Sequence, residues 1–306
     1  MGEVLMWSGI YLATMLLAYA LKRRGIFRAE DRKFIADLIF YVTLPAMLIG
    51  SFAETAVTLW FMVAFAAGLA WNALVLPLTL AVVRKKAPDM QALYIINCAG
   101  INLGNIAIPF LGNFYPAGVP YLCMMDTGDC FFSLGTTYAI ASGRMGQKRD
   151  SLAAQFAGIL KSLLHSVPFI TYVTMTILSL LQVELPYVVL EAAGFVGRGN
   201  GFLAMFLVGL SLELNLDRDS IREIVTIFAV RYSCGAILAL AIWFLLPTAP
   251  LVMRQVLVLA CFSPATNAAL IYSTRLGVRT DIAGILTPIS TILMIPVMTL
   301  VMLLMG

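Results

Sequence analysis

Two clusters of amides, hydroxyls and prolines interrupt otherwise apolar stretches of this chain. The first reads Gly100-Ile101-Asn102-Leu103-Gly104-Asn105-Ile106-Ala107-Ile108-Pro109, the second Ser263-Pro264-Ala265-Thr266-Asn267. Asn102, Asn105, Thr266 and Asn267 can each donate and accept, while Pro109 and Pro264 each remove a backbone donor. In hydrocarbon such groups persist where protein or water satisfies them. Matched helix breaks in two halves of a chain point to the binding site of a secondary transporter, where unwound carbonyls hold cations and half-helix N-termini hold anions. The competing reading is packing, with Gly100 and Gly104 as a GxxxG pair and the asparagines bridging helices.

Deep charges come next, because an ionisable group inside a bilayer costs several kcal/mol. Asp126 and Asp129 lie three residues apart on one helical face, continued by Ser133 and by Thr136 or Thr137. Such carboxylates act as proton carriers or cation ligands, or else they hydrogen-bond to neighbouring helices and fix their packing. Arg198, within Gly197-Arg198-Gly199-Asn200-Gly201, offers a planar fork of donors to an anionic substrate, or a permanent partner to Asp126, Asp129 or Glu191. Arg231 is read as snorkelling from its span. His165, the only histidine, is read as an interfacial residue.

The elements that must position these groups follow from composition. Hydrophobic residues make up 61% of the 306 and charged residues 12%, and mean hydropathy is +0.94. That balance excludes a soluble domain and gives a polytopic membrane protein, with about 20 apolar residues per crossing. The net charge of +4 therefore carries no argument for nucleic acid. The first apolar run lacks a basic region ahead of it and is read as a retained helix. Cys98, Cys123, Cys130, Cys234 and Cys261 all fall inside spans without a paired motif and read as packing residues.

Ten candidate spans emerge: Leu5 to Leu21, Phe34 to Phe52, Leu59 to Val83, Leu93 to Phe114, Tyr121 to Ala141, Pro168 to Leu185, Pro186 to Leu212, Ile224 to Leu246, Leu251 to Thr274 and Ile282 to Leu304. Lys and Arg crowd the connections after the odd-numbered spans, which makes those connections cytoplasmic and puts both termini outside. Five spans per half is an odd number, so the second half enters with opposite polarity. The chain then divides into a five-helix repeat (1–141), a linker with an interfacial helix over 151–166 (142–167) and an inverted repeat (168–306). Spans four and nine, the broken ones, become counterparts. Pro45, Pro288 and Pro296 are read as kinks, and Thr287, Ser290 and Thr291 as bonding back to their own helix.

These residues also resemble a known family. Lys22-Arg23-Arg24-Gly25-Ile26 with Phe40-Tyr41-Val42-Thr43-Leu44-Pro45-Ala46, together with both broken segments, is similar to the signatures of the auxin efflux carrier family, over nearly the whole chain. The resemblance implies ten helices in two inverted repeats with broken helices four and nine crossing mid-membrane. It also implies a scaffold of spans one, two, six and seven, and a transport domain of spans three to five and eight to ten. An acid at Asp129, and the lack of a proline near Gly201-Phe202, depart from the family's pattern.

The expectation is an all-α inner- or plasma-membrane carrier that is not an enzyme. It moves a small organic anion, a carboxylate of the auxin or dicarboxylate kind, by elevator-type alternating access. Asn102, Asn105, Pro109, Pro264, Thr266, Asn267 and Arg198 are the substrate-site candidates, and Asp126 and Asp129 the coupling candidates. No cofactor or metal is expected beyond proton or sodium coupling, and a homodimer is compatible with the chain. The rivals are a sodium symporter of the bile-acid transporter type and a ligand sensor that does not transport.

Overall fold

The structure is a computed structural model describing residues 2–28, 30–53, 58–146, 157–158, 160–161, 163–212 and 218–305. Among these residues it is helical, with no strand. Six helices are long and apolar enough to cross a bilayer: Gly2–Arg23, Asp31–Phe52, Trp60–Val83, Tyr187–Ser211, Ser220–Leu245 and Thr280–Met305. The other four apolar segments are helical too, but shorter or interrupted. Of the interfacial helix expected over 151–166, residues 151–156, 159 and 162 lie outside the described residues.

In chain order the elements are α1 (Gly2–Arg23), α2 (Asp31–Leu38), α3 (Leu44–Ala53), α4 (Trp60–Val83), α5 (Pro88–Cys98), α6 (Ile108–Leu111), α7 (Val119–Phe131), α8 (Thr137–Arg144), α9 (Val167–Leu180), α10 (Tyr187–Gly197), α11 (Asn200–Ser211), α12 (Arg218–Leu245), α13 (Leu251–Ala260), α14 (Ala268–Leu276) and α15 (Thr280–Met305). The kink expected at Pro45 takes the form of a wide π-helical turn, Ile39–Thr43, just ahead of it. A second such turn, Leu103–Ala107, precedes Pro109. A proline ring displaces the carbonyl four residues earlier, and an inserted residue accommodates it. Pro288 and Pro296 lie within α15, which runs through both.

The helices pack in two sets. In one, α1 lies along α11, and α3 along α9 and α10; in the other, α4 lies along α7 and α12, α5 along α8, and α13 along α12. The α4–α7 contact is the closest. A Cβ on Gly68 would sit 2.1 Å from the Met125 carbonyl oxygen, and one on Gly128 would sit 2.1 Å from that of Phe65. Bare backbone on each side lets the helix axes approach as side chains would forbid. One turn beyond Gly68, the short side chain of Asn72 therefore reaches α7.

Candidate functional site

Both broken segments meet at one point. Ile101 and Ala265 form an isolated antiparallel bridge, and the Asn102 amide donates to the Pro264 carbonyl at 2.9 Å. The chain leaves α5 through Gly100 at φ +28°, in a conformation that side chains resist. A Cβ there would also fall 2.8 Å from Thr266 Cγ2 and 2.9 Å from Ser133 Cβ. Thus α5 and α13 end head to head. Their continuations begin at Asn102, which precedes the Leu103–Ala107 turn, and at Asn267, which precedes α14.

A break of this kind frees carbonyls at the helix ends. Here one side chain collects them. Arg231, on α12, is 3% exposed. Its Nη1 lies 2.7 Å from the Ala99 oxygen, 2.9 Å from that of Cys98, 3.0 Å from that of Gly100 and 3.2 Å from that of Asn97. Its Nη2 donates to the Ser263 oxygen at 3.1 Å. The Trp71 ring lies 5.5 Å from the guanidinium carbon, a distance suited to a cation–π contact. One turn on, a Cβ on Gly235 would fall 2.6 Å from the Cys261 oxygen, so α12 presses against the end of α13. Snorkelling is thus corrected. Arg231 points inward because the two helix ends supply acceptors that no other part of its span offers.

The freed amides of the first break face acids. Asp129, 1% exposed, accepts from Asn72 Nδ2 at 2.7 Å and from the Ile101 amide at 3.2 Å. Asp126 lies beside Gly104, with its Oδ2 3.4 Å from where a Cβ on that glycine would be. The second break is served by hydroxyls instead. The Ala265 amide donates to Ser290 Oγ at 3.0 Å, and the Ala268 amide donates to Thr266 Oγ1 at 3.3 Å. Ser290 also bonds back to Thr287 of its own helix, as does Thr291. Ser290 therefore does more than the expected local bond.

A cavity of about 660 Å³ opens beside the crossing. Its walls include Asn102, Gly104, Asn105, Thr266, Asn267 and Ala268 from the two restarting segments, and Asp126, Asp129 and Ser133 from the α7 stretch. The opposite wall carries Phe40, Phe169 and Tyr172, and Lys161 and His165 line it as well. Tyr172 is hydrogen-bonded to Thr127 of α7. Asn102 Nδ2 is buried without a hydrogen-bond partner. A second cavity of about 370 Å³ shares Asn105 and Asn267 with the first and is lined by Arg32 and Lys33.

Six of the nine residues singled out by sequence therefore share one cavity: Asn102, Asn105, Asp126, Asp129, Thr266 and Asn267. Pro109 is buried in α6 beneath it, and its carbonyl accepts from Asn113. Pro264 contributes its carbonyl to the crossing. Arg198 stands elsewhere. Its side chain is exposed at the end of α10, and among the described residues no ion pair joins it to Asp126, Asp129 or Glu191. Its depth by residue count is misleading because α10 lies on the outside of the bundle. The buried polar residue of that region is Asn200, which accepts from Thr43. Asn72, Lys161 and Tyr172 were missed, and Ser290 was read as bonding only to its own helix. Asn72 carried a readable signal, an amide in an apolar span, whereas the others became visible only through tertiary contact.

Among the described residues, no group of three or more His, Cys, Asp and Glu side chains is arranged to hold a metal ion. The arrangement offers amide and hydroxyl donors and one carboxylate pair around a shared cavity. A family model described as membrane transport protein matches residues 10–302. No curated protein matches the chain.

Proposed function

The chain belongs to the auxin efflux carrier family of membrane transport proteins, and from that premise we propose that it carries a small organic anion, a carboxylate, by alternating access at the crossing. The observation that bears this reading is the cavity itself. Amide and hydroxyl side chains from both restarting helices line one space, and Asn102, one of the lining residues, carries a buried donor with no protein partner. Leaving such a donor unpaired costs about 1–3 kcal/mol, which an incoming carboxylate oxygen would recover. The Asn102 and Asn267 ends are also the positive ends of their helices.

In this reading the ten apolar segments all cross the bilayer as two inverted repeats, with the basic connections cytoplasmic. With that topology Lys161 and His165, on the connection between the halves, lie on the cytoplasmic side, and so does the end of the larger cavity that they line. Lys161 there draws anions toward the site. The packing of α1, α3, α9, α10 and α11 with one another supports a scaffold, and that of α4, α5, α7, α8, α12 and α13 supports a unit that moves as an elevator. Asp126 is the coupling residue. A carboxylate substrate and a charged Asp126 repel one another in a space this small, so the acid takes up a proton or a cation when the substrate binds.

Uptake of radiolabelled carboxylates into proteoliposomes tests the proposal. Saturable uptake, altered by a proton or sodium gradient and uncoupled from it in Asp126→Asn, is expected. Saturable binding without flux would replace the carrier by a sensor.

A further inference from the structure

Five carbonyl oxygens from two chain segments converge on a single guanidinium, buried and backed by an indole ring. A convergent set of freed carbonyls at two half-helix C-termini is also the ligand set that transporters use for a monovalent coupling cation. Both helix ends carry the negative pole of their dipoles, which adds to the demand for positive charge. Here the charge is covalent. We infer that Arg231 is a tethered cation, filling a carbonyl-ligated monovalent-cation site at the crossing and closing that site to sodium and potassium.

Three features favour this over an arginine that merely packs. The guanidinium bridges the ends of both breaks rather than one. The approach that permits it depends on Gly235, whose missing side chain lets α12 touch the Cys261 carbonyl. Among the described residues no carboxylate forms an ion pair with it; the nearest named acid of the site, Asp129, is engaged by Asn72 and the Ile101 amide. Its acceptors are backbone oxygens, as an inorganic cation's would be.

The inference concerns the crossing and stands whether or not a carboxylate is the cargo, because its test does not read transport. Full-length wild type and Arg231→Ala are purified, and their unfolding midpoints are titrated with guanidinium chloride and sodium chloride at low-millimolar to tens-of-millimolar concentration. Choline chloride keeps ionic strength constant. The quantity read is the variant's response minus that of wild type, which cancels any cation bound elsewhere. The expected result is a lowered midpoint in Arg231→Ala that rises saturably with guanidinium by several degrees, and less with sodium, while wild type does not respond. Arg231→Gln, which keeps two donors and loses the charge, is the second variant and behaves the same way if the alanine form does not survive purification. A variant that responds to neither cation more than wild type does would overturn the inference.

Discussion

The two breaks at the crossing solve one problem with different chemistry. The first turns through a glycine at positive φ, and its Ile101 amide is held by an acid, Asp129, with Asp126 lying beside Gly104. The second turns through Pro264, and its amides go to hydroxyls, Ser290 and Thr266. The carbonyls of both go to Arg231. The donors of the first break thus answer to groups that can change charge, while those of the second answer to groups that cannot. In the proposed carrier, coupling to an ion would act on the first break, and the second would supply the fixed half of the site.

Loss of the shared element should have the largest effect. Arg231→Ala leaves carbonyls of both breaks without their cation and costs about 3 kcal/mol, the upper end of the range for hydrogen bonds to a charged group, measured by denaturant or thermal unfolding in detergent. A cost near that of an ordinary surface change would mean that the breaks hold themselves. Asp129→Ala strips acceptors from Ile101 and Asn72 and should cost on the order of 2 kcal/mol, the range for stranding buried donors. Ser290→Ala strands only the Ala265 amide and should cost about 1 kcal/mol, with no change in any dependence on pH or sodium. If Ser290→Ala alters that dependence as Asp126→Asn is expected to, the division between the breaks fails. Arg198→Ala, exposed at the end of α10, should fall within about 0.5 kcal/mol of wild type and leave substrate binding unchanged.

Much of this was legible in the sequence because backbone chemistry in an apolar run is hard to hide. Asn102, Asn105, Thr266 and Asn267 declared themselves by residue type, and the apolar runs fixed the helices. Direction was harder. Arg198 and Arg231 looked alike as arginines in apolar stretches, yet Arg198 is exposed and Arg231 buried, because which side of a helix faces the bundle depends on partners remote in sequence. Asn72 reaches Asp129 only because Gly68 and Gly128 let two backbones touch. That contact spans 57 residues, and no local pattern encodes it. Lys161 and His165 fell in a connection, where side-chain placement follows from the ends it joins.

Asn102 separates the account from its plainest rival most directly. Its side-chain donor lacks a protein partner, so Asn102→Ala should leave the unfolding midpoint at or slightly above that of wild type. In proteoliposome counterflow with radiolabelled carboxylates, wild type should accumulate label and Asn102→Ala should lose at least tenfold of that rate. An asparagine that merely glues helices predicts the opposite pair, a lowered midpoint with counterflow retained in whatever protein stays folded, and that result would contradict a substrate site at the crossing.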